Sequence, residues 1–151
     1  MNDRVATRVL GIDPGERRVG VALSDPIGII ASPLMVIDLR TENLAEVLRS
    51  LCEAHDVGRV VVGLPIGLSG EEGPAATKAR RLAAVVEEAT GLPVDLHDER
   101  FTSVTAEGAL LEGGVKRRDR RETRDKVAAA VMLQSFLDSR RAHDTGADDP
   151  G

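Results

Sequence analysis

Asp13 lies in Val9-Leu10-Gly11-Ile12-Asp13-Pro14-Gly15, where an apolar run ends in a carboxylate and then meets Pro-Gly. Proline fixes φ at the first corner of a tight turn, and glycine is expected to supply the positive φ of the second. Val19-Gly20-Val21-Ala22-Leu23 then reads as the returning strand of a hairpin, with Gly20 marking a close backbone approach. A carboxylate held at the end of a buried strand is costly unless something compensates its charge. A metal ion, a cation carrying phosphate, or a cage of hydrogen bonds would each do so.

Two further carboxylates occupy comparable places. Glu99, in Leu96-His97-Asp98-Glu99-Arg100, falls where a strand gives way to a helix. In open α/β sheets ligands gather outside the carboxyl ends of strands. Asp125 shares helical spacing with Ala129, Met132, Leu133 and Phe136, so it belongs to a face that is otherwise apolar and turned to the sheet. Its expected place is the first turn of that helix, where the macrodipole favours a carboxylate. Taken alone, Asp125 reads first as a helix-terminal charge; beside Asp13 and Glu99 the order reverses and it reads as a third member of one site. Hard divalent cations take oxygen ligands, and Mg²⁺ combines one or two carboxylates with water and substrate phosphate. Three carboxylates suit Mg²⁺ or Mn²⁺, as one ion or as a two-metal pair that activates water and steadies the leaving oxygen of a phosphodiester. His55, His97 and His143 are too scattered to suggest a zinc site.

The stretch from Lys116 to Lys126 carries Lys116, Arg117, Arg118, Arg120, Arg121, Arg124 and Lys126 against Asp119, Glu122 and Asp125. In a chain of formal net charge -5 this is a local reversal of sign. A solvated charged loop is the ordinary explanation. Its position, leading into the segment that bears Asp125, puts cations where a polyanion approaches a metal site.

The elements that hold these residues follow from periodicity and turn chemistry. Residues 8–13, 17–23 and 29–37 read as strands in an antiparallel meander, with Thr41 capping a helix through Leu44, Val47, Leu48 and Leu51. Val60 to Leu64 reads as a strand buried on both faces, followed by a glycine-rich loop over 67–73. Pro74 opens a second helix that Gly91 and Pro93 stop. Residues 93–99 form another strand, and Thr102 caps a short helix ending at Gly113-Gly114. The basic loop leads into a last helix to about Ser139. The order gives an α/β fold with a mixed five-stranded sheet flanked by helices, in a single domain over 1–139. Residues 140–151 are polar and are expected to form a disordered tail.

Composition narrows the functions. The chain has 151 residues, enough for one core. Phe101 and Phe136 are its only aromatic residues other than histidine, which leaves few platforms for base stacking. Cys52 is expected to be a small buried apolar residue. The absence of a signal peptide or transmembrane run points to a cytoplasmic protein with no membrane partner.

Together these segments resemble the YqgF-type family, an RNase H-like fold related to Holliday junction resolvases. The matching stretches are Gly11-Ile12-Asp13-Pro14-Gly15 with Gly20-Val21-Ala22, Val62-Gly63-Leu64-Pro65 with the loop to Pro74, Leu96 to Ser103, and Asp125 to Ala130. The resemblance covers roughly residues 8–138, and four motifs in order are specific where one would be weak. It implies that Asp13, Glu99 and Asp125 are the catalytic, metal-binding set. It further implies a nuclease that matures the 5′ end of pre-16S ribosomal RNA, with the ribosomal particle as a partner and branched DNA as the alternative substrate. Pro14 is nearer the resolvase form of the first motif, which is a turn preference rather than a guide to substrate. Arg100 is expected either to contact substrate phosphate or to pair with Asp98, and Val62 to Pro65 with the loop to line the cleft. A junction resolvase acts as a symmetric dimer; no dimer face is marked in the sequence, so monomer and homodimer both stand. Two other classes remain. One is a non-catalytic nucleic-acid binding module, against which the three retained acids argue. The other is a phosphotransferase of the actin-like type, which needs a second domain for which the chain is too short.

Overall fold

The computed structural model describes residues 7–101 and 117–147. Five strands form one sheet in the order β3-β2-β1-β4-β5: β1 Arg8–Asp13, β2 Arg18–Ser24, β3 Ala31–Asp38, β4 Val57–Leu64 and β5 Val94–Asp98. The first three pair antiparallel, while β4 joins β1 and β5 in parallel. Helix α1, Leu44–Ala54, connects β3 to β4, and α2, Pro74–Thr90, connects β4 to β5. Helix α3 spans Arg117–Ala147. This is the mixed five-stranded α/β sheet with a meander that the sequence predicts. The expected helix from Thr102 to Gly113-Gly114 lies outside the described residues.

Strand alternation divides the core in two. Leu10, Ile12, Val19, Val21, Val60 and Val62 face α1 and α2, where Leu48, Ala76, Ala79 and Val86 are buried against them. Val9, Ala22 and Val61 face α3, which buries Ala129, Met132, Leu133 and Phe136. Glycine permits this second contact: a Cβ on Gly11 would lie 2.8 Å from Leu133 Cβ, and one on Gly20 only 2.1 Å from the carbonyl oxygen of Asp125. Cys52 is buried in the first core, as expected.

Several boundaries differ from the sequence reading. Asn43, not Thr41, caps α1, its Oδ1 accepting from the Glu46 amide at 3.0 Å; Thr41 instead closes a turn by donating its amide to the Asp38 carbonyl. Gly15 is not in the left-handed region, which among the described glycines holds Gly28, Gly70 and Gly91. Gly15 is required for a different reason, since a Cβ there would stand 2.3 Å from the Arg18 carbonyl oxygen. The segment read as a basic loop is helical from Arg117, so Asp125 lies more than two turns into α3 and the dipole argument for it fails. The same helix runs on to Ala147, past the boundary placed at Ser139, so most of the expected tail is helical; residues 148–151 lie outside the described residues. Pro74 at the start of α2 and Gly91 at its left-handed end are as predicted. Among the described residues no helix is long and apolar enough to cross a membrane.

Candidate active site

The register of the hairpin builds the site. Asp13, the last residue of β1, pairs with Gly20 on β2. By alternation Asp13 shares the α3 side of the sheet with Val9 and Gly11. Because Gly20 has no side chain, the backbone of α3 settles on it at Asp125. One missing Cβ thus brings a carboxylate from the helix beside a carboxylate from the strand. Glu99 arrives from the far side of the sheet, in the 3-10 turn Glu99–Phe101 that follows β5. Gly63 on β4 makes room for it: a Cβ there would sit 2.9 Å from Glu99 Oε1.

The three acids interact. Burial, followed by the charge of Glu99, a hydrogen bond with Glu99 and the charge of Asp125, pushes the Asp13 carboxyl up to about 8. Without a cation, the Asp13 carboxyl is the raised member of the cluster and is hydrogen-bonded to Glu99. Asp125 is held differently: Arg18 donates from Nε to its Oδ2 at 2.9 Å, both side chains being about one-third exposed. Among the described residues no three His, Cys, Asp or Glu side chains are arranged so that together they could hold a metal ion.

The donor set nevertheless fits a hard divalent cation. It consists of carboxylate oxygens alone, and the raised Asp13 carboxyl marks a cluster short of positive charge. Asp13 is hydrogen-bonded to Glu99 and feels the charge of Asp125, so the three carboxylates are neighbours.

The remaining residues divide. Arg100 is committed to Asp98 through Nε at 2.9 Å and Nη2 at 2.6 Å to Oδ2, the salt-bridge alternative of the two predicted for it. That guanidinium holds the Asp98 carboxyl below its usual range. The glycine-rich loop borders the same spot, with a Cβ on Gly70 falling 3.7 Å from Arg100 Nη1. Arg124 is exposed on α3. Arg117, Arg118, Arg120 and Arg121 lie on the first turns of α3; Lys116 lies outside the described residues. His97 is structural, its Nε2 bonded to Ser135 Oγ at 2.9 Å and its ring edge-on to Phe136.

Sequence reasoning missed Arg18. Two residues before Gly20 on the same strand, it shares Gly20's face and is therefore turned to α3. The hairpin register was the available signal.

A family model described as RuvX: Holliday junction resolvase matches residues 7–139. A protein of Pelotomaculum thermopropionicum named "Putative pre-16S rRNA nuclease" is 43% identical over 148 residues, covering 95% of this chain and 96% of its own length. A Dictyoglomus thermophilum protein of the same name is 44% identical, covering 87% of this chain and 96% of the relative. Among solved structures, T. thermophilus RuvC in complex with Holliday junction substrate superposes with a TM-score of 0.56 at 19% identity, covering 90% of this chain and 96% of that one. The RuvC likeness shows the fold, which is RNase H-like.

Proposed function

The chain belongs to the RuvX Holliday junction resolvase family, and from that membership we propose that it is a metal-dependent nuclease that processes the 5′ end of pre-16S rRNA. The observation that carries the reading is the meeting of Asp13, Glu99 and Asp125 at the carboxyl ends of β1 and β5 and on the facing helix. Curated relatives matching nearly the whole chain carry the rRNA nuclease name, which supports the choice of substrate.

In this reading Asp13, Glu99 and Asp125 would hold Mg²⁺ or Mn²⁺. The bound metal would supply charge neutralisation at the phosphate and a lowered pKa for attacking water. The protein's own groups do the rest. Gly20 and Gly63 fix the positions of Asp125 and Glu99 through close contact. Water adds to phosphorus in line as the P–O3′ bond breaks, leaving a 5′-phosphate and a 3′-hydroxyl. The arginines at the start of α3 draw the strand in. Arg100, engaged with Asp98, positions the turn that carries Glu99 and is not a phosphate contact in this reading.

The test is cleavage, with Mn²⁺, Mg²⁺ or chelator, of a labelled precursor spanning the 16S 5′ end and of a four-way DNA junction. Asp13→Asn, Glu99→Gln and Asp125→Asn run beside wild type. Metal-dependent cutting of the precursor that all three substitutions abolish is the expected result. Preference for the junction would make the protein a resolvase, the activity its family description names. Binding without cutting in every condition would leave a non-catalytic module.

A further inference from the structure

A cavity of about 390 Å³ opens across the strand ends from the carboxylates, lined by Pro14, Gly15, Glu16, Pro65, Pro74, Ala75 and Lys78. Pro14 follows Asp13 directly. Pro65 follows Leu64, the β4 residue in register with Asp98, next to Glu99. The cavity is therefore next to the site along the chain, at the strand ends on the α2 side of the sheet, with the carboxylates on the α3 side. Its size suits a small organic group rather than an ion. Three of its walls are proline rings, which carry no N–H and hold one shape, so most of its surface is apolar and rigid, with Glu16 and Lys78 as its charged members.

Lys78 stands at the rim, exposed on α2. Arg80 pairs with Glu72 at 2.7 Å, Arg100 with Asp98 and Arg18 with Asp125, and Arg17 and Arg81 do not line the cavity, so Lys78 is the one cation in its lining. Among the described residues no ion pair or hydrogen bond engages the Lys78 ammonium. An apolar, preformed cavity with one available cation beside a phosphodiester-cleaving site has the chemistry of a nucleotide: a flat ring and sugar joined to a phosphate. The cavity lining holds no aromatic residue, so its proline rings are the flat apolar surfaces it offers a base.

We propose that this cavity receives one nucleotide of the substrate strand beside the scissile phosphate, its base and sugar against Pro14, Pro65 and Ala75 and its phosphate paired with Lys78. The proposal rests on the nuclease reading and adds to it a subsite that orients the strand.

The experiment uses the full chain with Mn²⁺ and a set of precursor strands, each lacking the base at one position around the cut. For wild type, one missing base next to the cut raises KM about tenfold, the scale of a lost base contact, and its neighbours do not. Ala75→Leu, which fills the cavity from an exposed helix position, raises KM for the intact strand by a similar factor and erases the penalty at that position. Lys78→Gln raises KM about fivefold with kcat within about twofold and lowers the salt slope of binding by ~0.7, one single-strand phosphate contact; Lys78→Arg restores the slope. A penalty spread evenly over positions, or one that survives Ala75→Leu, overturns the proposal. So does Lys78→Gln with KM and slope unchanged. Wild type that cuts none of the strands overturns the nuclease reading and this subsite with it; wild type that cuts them while both variants behave like it removes the subsite alone.

Discussion

Asp13 is placed against its own preference. Burial and two acidic neighbours lift its carboxyl from the usual 3.8 to about 8. Across that window the folded protein binds a proton that the unfolded chain has released, so stability falls as pH rises from 3.8 to about 8 and levels off above it. Asp13→Asn removes the conflict. In chelator it is expected to be more stable than wild type near neutral pH by roughly 1–3 kcal/mol, the scale of one poorly satisfied buried polar group. Thermal melts should show the gap widening as pH rises towards 8 and closing when Mn²⁺ is added, which helps wild type alone. A variant less stable than wild type at every pH would mean that the carboxylate is needed by the fold itself. Arg18 is the other half of the residue-level account, because its guanidinium occupies the Asp125 oxygen that a cation would use. Arg18→Gln is expected to bind Mn²⁺ about fivefold tighter, read from free Mn²⁺ by EPR, a coupling within the ordinary range for two linked sites. Weaker binding would show that Arg18 aims Asp125 rather than competing for it. Asp13, Glu99 and Asp125 were legible as charges at strand ends or on an apolar face. Arg18 was not, because its role exists only once the register of β2 is known.

At the level of elements, the site depends on how closely α3 rides on the hairpin. Gly20 was readable as a close approach; what approaches it, the Asp125 carbonyl, was not, since nothing local in residues 19–23 names a partner more than a hundred positions away. Gly20→Ala places a Cβ 2.1 Å from that oxygen, so backbone and not a flexible side chain must yield. The expected cost is about 1–3 kcal/mol of stability, as for other overpacked sites. A helix shifted by a fraction of an ångström to an ångström also misplaces Asp125, and kcat should fall by about 100-fold with KM little changed. Denaturant melts and steady-state kinetics together check this; full activity in a destabilised Gly20→Ala would mean that α3 does not position the third acid. The start of α3 shows why some boundaries were illegible. Arg117 to Arg124 is rich in good helix formers but carries no apolar period, and periodicity was the signal by which the other helices were found. Asn43 displaced Thr41 as a cap for a comparable reason: both residue types suit the role, and the turn at Asp38 decided between them.

For the whole molecule the charge distribution matters more than its sum. The chain carries -5 overall, yet the entry to α3 is strongly cationic. That segment is helical and not a loop: at ~100° per residue, positions 117, 120, 121 and 124, all arginine, fall within an arc of about 100° on the helix. Arg118 falls outside it. An ordered stripe can follow a phosphate backbone, whereas a loop would spread the same charges over many geometries and bind more weakly and less directionally. Replacing the four arginines of the arc with glutamine should therefore lower the slope of log K against log salt by about 2 to 3, at ~0.7 per single-strand contact. Arg118→Gln should move it by much less. Binding isotherms of a labelled precursor strand at several salt concentrations, with Asp13→Asn as the common background to prevent cutting, make the comparison. Equal changes for Arg118 and for each member of the arc would mean that only net charge attracts the strand and that the helix imposes no direction on it. A steeper loss for the arc would tie substrate approach to the same helix that brings Asp125 to Asp13, so that strand capture and assembly of the three carboxylates depend on one element.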